Sequence, residues 1–221
     1  MRRMKRRFVL SALPAMFLGL TGATKPRRAA PPLPPLGDTV RVELVTELGT
    51  IVVELDHKRA PITTAQFMRY VDSGRYSGMN FYRAMRLEWG TQPNGLIQGG
   101  LQDFPARLFK PIAHEPTSVT GLTHKAGTLS MARLAPGTAN ANFFILMSDL
   151  TSYDADPKST DSDAQAGYAA FGHVVSGMDV AQRIFAAPRS ATLGKGVMKG
   201  QMLDPKIKVP RVQRLAAPPA A

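Results

Sequence analysis

Few residues of this chain have types and spacings that could do chemistry, and they narrow it to binding and positioned charge. Arg83 offers a permanently charged, rigid donor fork, and Gln98 offers both an amide donor and an acceptor. Gly99 and Gly100 follow the glutamine directly and permit a close backbone approach there. Taken singly, each has a plainer reading: an arginine salt-bridged at a barrel rim, and a glutamine satisfying a turn. Other chemistries find less support. Without cysteine there is no disulfide framework, thiolate zinc site or lipid-anchored N-terminus. His57, His114, His124 and His173 stand singly, without metal-ligand spacing. Asp154, Asp156, Asp161 and Asp163 share one polar stretch, but EF-hand spacing is missing and a solvated loop is the preferred reading over a calcium site. Gly194-Lys195-Gly196 lacks the phosphate-loop pattern. A hydrolase has no G-x-S-x-G elbow and no visible nucleophile constellation.

Arg83 and Gln98 belong to ordered blocks: Phe81-Tyr82-Arg83, then Leu96-Ile97-Gln98-Gly99-Gly100, then Gly127 to Ala132, then Asn142-Phe143-Phe144-Ile145, closed by Gly167 to Val180. In this order they resemble the F-[HY]-R, I-Q-G-G, G-x-[LI]-[SA]-M-A and Q-F-F-I segments of the cyclophilin-type peptidyl-prolyl isomerases, over roughly residues 39–212. The resemblance implies catalysis of rotation about X-Pro bonds, with Arg83 hydrogen-bonding near the prolyl nitrogen in the twisted state and Gln98 positioning that arginine and the substrate carbonyl. It implies a substrate-binding groove made by Leu96, Met131, Ala132, Asn142, Phe144, Tyr153 and Tyr168, with Phe81 packing in the core nearby. It implies no cofactor and no metal, proline-containing unfolded or extended polypeptides as partners, and a monomer.

The departures from the family pattern matter. Asn142 stands where glutamine is usual, one methylene shorter, and Tyr168 replaces the histidine of many eukaryotic members, as in similar exported bacterial forms. The eukaryotic groove tryptophan has no match; Ser152 or Tyr153 falls near its place, so cyclosporin sensitivity is doubtful. Fourteen residues, Ala84 to Ile97, separate Arg83 from Gln98, more than is usual, and they contain Trp89, the only tryptophan. Trp89 is expected to sit on a flap beside the groove and supply apolar contact, against the alternative of a surface loop pinned by its tryptophan.

To position such a site the chain has mostly strands. Val40 to Leu44 alternates strictly, Glu47-Leu48-Gly49 turns, and Ile51 to Leu55 returns, which predicts a hairpin with one wet face. Short apolar runs at Gly127 to Ala132, Phe143 to Met147, Ala170 to Val175 and Ile207 to Val212 predict further strands. A helix after Pro61, capped by Thr63-Thr64, should bury Phe67, Tyr70 and Val71; a second should span Met178 to Phe185. Many short strands with two helices argue for a closed antiparallel barrel, since closure removes exposed edges. The family resemblance implies the specific form: mainly β, an eight-stranded barrel capped by two α-helices.

The ends bear on location. Met1 to Arg7 is a basic n-region, Phe8 to Leu20 is apolar, and Thr21-Gly22-Ala23 is a small-x-small cleavage site, which predicts an export signal over 1–23. The apolar run falls short of the roughly 20 residues of a spanning helix, so an uncleaved anchor is the second reading. Residues 24–38, with five prolines, read as an extended linker; 39–214 form one domain, and 215–221 an unfolded tail. The formal charge of +12 includes five basic leader residues, and loss of 1–23 leaves +7, dispersed without the stripe that nucleic-acid binding would need. The chain therefore reads as a periplasmic or secreted bacterial isomerase with no stable membrane insertion after cleavage and no nucleic-acid partner. The alternative is a proline-peptide binding module or chaperone of low turnover on the same fold.

Overall fold

The computed structural model describes residues 35–216. The predicted signal over 1–23, most of the linker and the last five residues of the tail lie outside them. The alternation at the start makes the expected hairpin. β1 (Thr39–Thr46) pairs antiparallel with β2 (Gly49–Asp56), from Thr39↔Asp56 to Thr46↔Gly49. Val40, Val42 and Leu44 face inward with Ile51, Val53 and Leu55, so the register is set by one buried face. The remaining strands are β3 (Met79–Arg86), β4 (Gly95–Gly100), β5 (Thr128–Met131), β6 (Phe143–Leu146), β7 (Ala169–Ser176), β8 (Met202–Val209) and β9 (Arg211–Arg214).

All pairings are antiparallel, in the order β8-β3-β4-β6-β5-β7-β2-β1-β9. The two ends of that order are one stretch of chain, interrupted only by Pro210. The sheet therefore wraps into a nearly closed barrel, and Glu47 N donates to Lys208 O at 3.1 Å across the join. Nine strands stand where eight are expected because proline has no N–H for the ladder. It splits one strand into β8, on β3, and β9, on β1.

Two long helices close the barrel's ends, α1 (Pro61–Asp72) after the far end of β2 and α4 (Met178–Ala186) beside the β1–β2 turn and the end of β3. Two short ones, α2 (Thr117–Thr120) and α3 (Ser162–Ala166), lie in connections. From α1, Phe67, Tyr70 and Val71 enter the core, where Phe67 meets Phe143 edge-on at 5.3 Å; from α4, Val180, Ile184 and Phe185 do the same.

The start of α1 corrects one expectation. Thr63 and Thr64 lie inside the helix rather than at its cap; Pro61 occupies the first turn and Ala60 gives no side-chain cap. The buried carboxylate of Glu115 substitutes, accepting from Ile62 N at 3.0 Å, Thr63 N at 2.5 Å and Thr63 Oγ1 at 2.5 Å. A negative group at this terminus satisfies two free N–H groups and complements the helix dipole. Glu115→Ala should lower stability by about 2–3 kcal/mol, because it leaves buried donors without an acceptor. Urea unfolding of the two proteins side by side measures this.

Candidate active site

A strand alternates its side chains, so Phe81 facing the core would send Arg83 inward as well. Instead, the ladders of β3 to both β4 and β8 shift between Phe81 and Arg83: against β4 the extra residue is Tyr82, while on the other side β8 carries the excess, residues 203–206. Phe81 and Ala84 are both fully buried in the barrel core, while Tyr82 and Arg83 together take the outer face. The bulge thereby re-aims a charge that the barrel interior could not have solvated.

Register then builds the site as a row across the sheet. Arg83 pairs with Gln98 on β4, Gln98 with Phe144 on β6, and Phe144 with Ser130 on β5. Gly99 pairs with Phe81 on the inner face, where a Cβ would come within 2.8 Å of the Phe81 ring, so glycine there makes room for the aromatic core.

The polar half of the row is a chain of amides. Arg83 Nη1 donates to Gln98 Oε1 at 2.8 Å, and Gln98 Nε2 donates to Tyr82 Oη at 2.8 Å. Because arginine only donates, it dictates which end of the glutamine faces it. On its other side Arg83 Nε donates to Gln201 Oε1 at 2.8 Å. Among the described residues no carboxylate pairs with Arg83. Burial pushes its pKa below the ordinary value, with Tyr153, Tyr82 and Tyr168 acting in the opposite sense. A guanidinium starts so far above neutrality that it keeps its charge. Burial also pushes the Tyr82 phenol well up, so it stays neutral.

The apolar half has its own small core outside the barrel, made by Leu96, Phe144, Leu146 and Leu150, with Met85, Leu87, Ala132, Tyr153 and Tyr168 against it. Tyr153 and Tyr168 hold the Phe144 ring edge to face, at 5.9 and 5.5 Å. A cavity of about 180 Å³ opens between the two halves, lined by Arg83, Leu96, Gln98, Phe144, Tyr153 and Tyr168, with Ala132 beneath. A second, of about 200 Å³, shares Gln98, Ala132, Arg133 and Met198 with the first and adds Asn142, so the two form one groove. Asn142 Oδ1 is buried there without a hydrogen-bond partner among the described residues. Another cavity, of about 190 Å³ beside the Asp56–Arg59 ion pair, lies away from Arg83.

Most residues expected at the groove are therefore brought together, with two corrections. Met131 is 1% exposed and belongs to the barrel core, because alternation along β5 turns Leu129 and Met131 in and Ser130 out. Trp89 is 64% exposed and does not line the groove. Much of the stretch 84–97 is strand, with Ala84↔Ile97, Met85↔Leu96 and Arg86↔Gly95 paired, and only the tip loops out. That tip is braced by Gln92 Nε2 to Leu87 O and by Asn94 Nδ2 to Trp89 O. What the hairpin gives the groove is Met85 and Leu87, packed behind it.

Other groove residues escaped the sequence reading. Tyr82 lies in a matched block but carried no role in that reading, Gln201 lies outside the blocks, and both bond the Arg83–Gln98 pair; Val197 and Met198 come from a 3-10 turn over 196–198 and line the groove. Arg133 lines both cavities while its guanidinium bonds Gly167 O at 2.8 Å, pairs with Asp163 at 2.9 Å and lies over the Tyr168 ring. The stretch 154–167 is thereby tied to a side chain of the groove wall. Two of its other aspartates have local work: Asp161 caps α3 and Asp156 accepts from Lys158 N.

Beneath Phe144 the tertiary structure assembles a constellation that sequence spacing hid. His124 Nδ1 meets Asp154 Oδ1 at 2.6 Å, and Nε2 meets Ser130 Oγ at 2.9 Å. A carboxylate only accepts, so Nδ1 carries the proton and Nε2 accepts from Ser130. The composition is that of a hydrolytic triad, but Ser130 and His124 are 0% exposed. A nucleophile must reach its substrate, so the three form a buried strut under the groove.

Three comparisons bear on this arrangement. Residues 41–208 match the family described as cyclophilin type peptidyl-prolyl cis-trans isomerase/CLD. A peptidyl-prolyl cis-trans isomerase of Acinetobacter baylyi is 37% identical over 155 residues, covering 67% of this chain and 73% of that one. Peptidyl-prolyl cis-trans isomerase B of Escherichia coli is 35% identical over 144 residues, covering 63% and 80%. In fold, the chain is similar to a cyclophilin type peptidyl-prolyl cis-trans isomerase of Cryptosporidium parvum, solved in the presence of the dipeptide Ala-Pro. That match has a TM-score of 0.61 at 19% identity and covers 80% of this chain and 99% of that one.

Two measurements follow from the geometry. Burial, outweighing Asp154, holds the His124 pKa below its ordinary 6.5. As pH falls through that value the unfolded chain takes up the proton first, so folding stability drops on acidification. Thermal unfolding at pH 7.5 and pH 5 should show a larger loss for the wild type than for His124→Gln. Separately, a peptide seated in the groove should leave Trp89 emission unchanged while its binding is followed by NMR.

Proposed function

The chain belongs to the cyclophilin-type peptidyl-prolyl cis-trans isomerase family and is an isomerase of X-Pro peptide bonds; from that premise we propose that Arg83 and Gln98 carry the reaction. Rotation must break amide resonance, a barrier of about 18–20 kcal/mol, and no covalent bond need break. A catalyst needs a seat for the proline ring, a grip on the flanking chain, and a donor that favours the nitrogen lone pair as conjugation is lost. Phe144 and Leu96, with Tyr153, Tyr168 and Ala132 around them, form the seat. Gln98 orients Arg83 and the substrate carbonyl, and Asn142 lines the cavity beyond the prolyl seat.

The observation that carries this reading is the state of Arg83. It is partly buried in the cavity between the polar and apolar halves, oriented by neutral amide oxygens and, among the described residues, unpaired with any carboxylate, so its charge remains for the substrate. A donor already in place acts more strongly in the twisted state, where the lone pair has localised, than in the planar ground state. The partners are proline-containing segments of unfolded or extended proteins, a reading supported by the dipeptide used with the Cryptosporidium protein. The basic and apolar start of the sequence, with its small-x-small site, supports work in the bacterial cell envelope, freed from its leader.

The second cavity beyond the prolyl seat favours one other reading, a module that grips proline segments with little turnover. Exchange NMR on a short X-Pro peptide with catalytic amounts of the protein separates the two. The isomerase accelerates cis/trans exchange, and Arg83→Ala lowers that acceleration by roughly a hundredfold to a thousandfold, as for loss of one preorganised donor. Peptide shifts without faster exchange would instead identify the binding module.

A further inference from the structure

We propose that Gln201 is a positioning residue for catalysis, setting the plane of the Arg83 guanidinium and coupling it to the groove wall; this rests on the assignment of Arg83 to the reaction. Gln201 lies 118 residues from Arg83 in sequence, yet its Oε1 accepts from Arg83 Nε at 2.8 Å. With Gln98 on Nη1, the guanidinium is held by two amides, and rotation about its last side-chain bonds would break one bond or the other. Either glutamine alone would leave a hinge.

Gln201 is itself firmly placed. Its backbone O accepts from Ala84 N at 2.9 Å, immediately after Arg83, and its backbone N donates to Met198 O at 3.1 Å. Its Nε2 donates to Val197 O at 2.7 Å, which leaves Oε1 as the end that faces the arginine. Val197 and Met198 line the groove, so the amide that orients the catalytic charge is bonded to the wall that the substrate touches. A glutamine suits this place better than a glutamate. The amide oxygen fixes direction while leaving the positive charge available, whereas a carboxylate at 2.8 Å would form an ion pair and weaken the pull on the prolyl nitrogen.

The test uses the full chain with Gln201→Met, which keeps length and bulk without an acceptor, and Gln201→Glu, which keeps the acceptor and adds charge. Exchange NMR at saturating X-Pro peptide gives turnover, peptide titration gives Kd, and the Arg83 Nε–Hε resonance reports the clamp. Gln201→Met should lower turnover by roughly tenfold, the effect of one such hydrogen bond, with Kd little changed and the Nε–Hε resonance displaced. Gln201→Glu should also lower turnover, with Nε–Hε still hydrogen-bonded. A residue serving only as wall packing predicts the reverse: a weakened Kd, unchanged turnover and, in Gln201→Glu, full activity. That result would overturn the proposal, as would an undisplaced Nε–Hε resonance in Gln201→Met. Should Gln201→Met fail to fold, Gln201→Glu decides alone. An inactive wild type would overturn the assignment of Arg83 itself, which is a different failure from an active wild type matched by both variants.

Discussion

The site depends on one extra residue in β3. Alternation along a strand is strict, and both Phe81 and Ala84 are required inside the barrel. Two residues between inward neighbours can both face outward only if the strand bulges, and the ladder shift at Tyr82 provides this. Without it Arg83 would enter an apolar core at prohibitive desolvation cost, or the strand would slip and expose Phe81. With it, the core aromatic, the phenol that anchors Gln98 and the groove arginine come from three consecutive residues.

Once Arg83 is outside, its surroundings determine what it can do. Several surface arginines elsewhere in the protein pair with carboxylates, as Arg183 does with Asp179 and Arg59 with Asp56. Arg83 at the groove is flanked instead by amides and phenols, which orient a cation without neutralising it. The apolar side has the same logic of restraint. Phe144 is wedged by two tyrosines from the side and backed by the buried Ser130–His124–Asp154 strut, so the ring that forms the seat has little freedom to collapse into the cavity. Rigid support of this kind suits a reaction whose catalysis consists of geometry and electrostatics.

Barrel closure supplies the rest of the rigidity. β8 and β9 bring Met202 alongside Arg83 at one end and complete the sheet on β1 at the other, so the same segment that closes the barrel delivers Gln201 to the arginine. Glu115 and Arg133 act similarly at a distance: Glu115 ties a long connection to α1, and Arg133 ties the groove to the connection before β7.

The sequence by itself determined the barrel class, the first hairpin, both long helices and the principal groove residues, because each leaves a local mark. A strand with one buried face must alternate, and Arg83, Gln98 and Phe144 sit in short ordered blocks whose residue types are constrained together. Only the tertiary structure decided what those blocks touch. The placement of Gln201, the union of Ser130 with His124 and Asp154, and the Glu115 cap on α1 join positions far apart in the chain, and a polar residue in a loop shows no sign of its distant partner. Trp89 and Met131 were misplaced for related reasons. A lone tryptophan says nothing of which way its hairpin tip points, and beside a groove residue the next position along a strand belongs to the opposite face. Proximity in sequence fixes composition at a site, whereas strand pairing, bulges and closure fix direction, and direction decides which side chains meet the substrate.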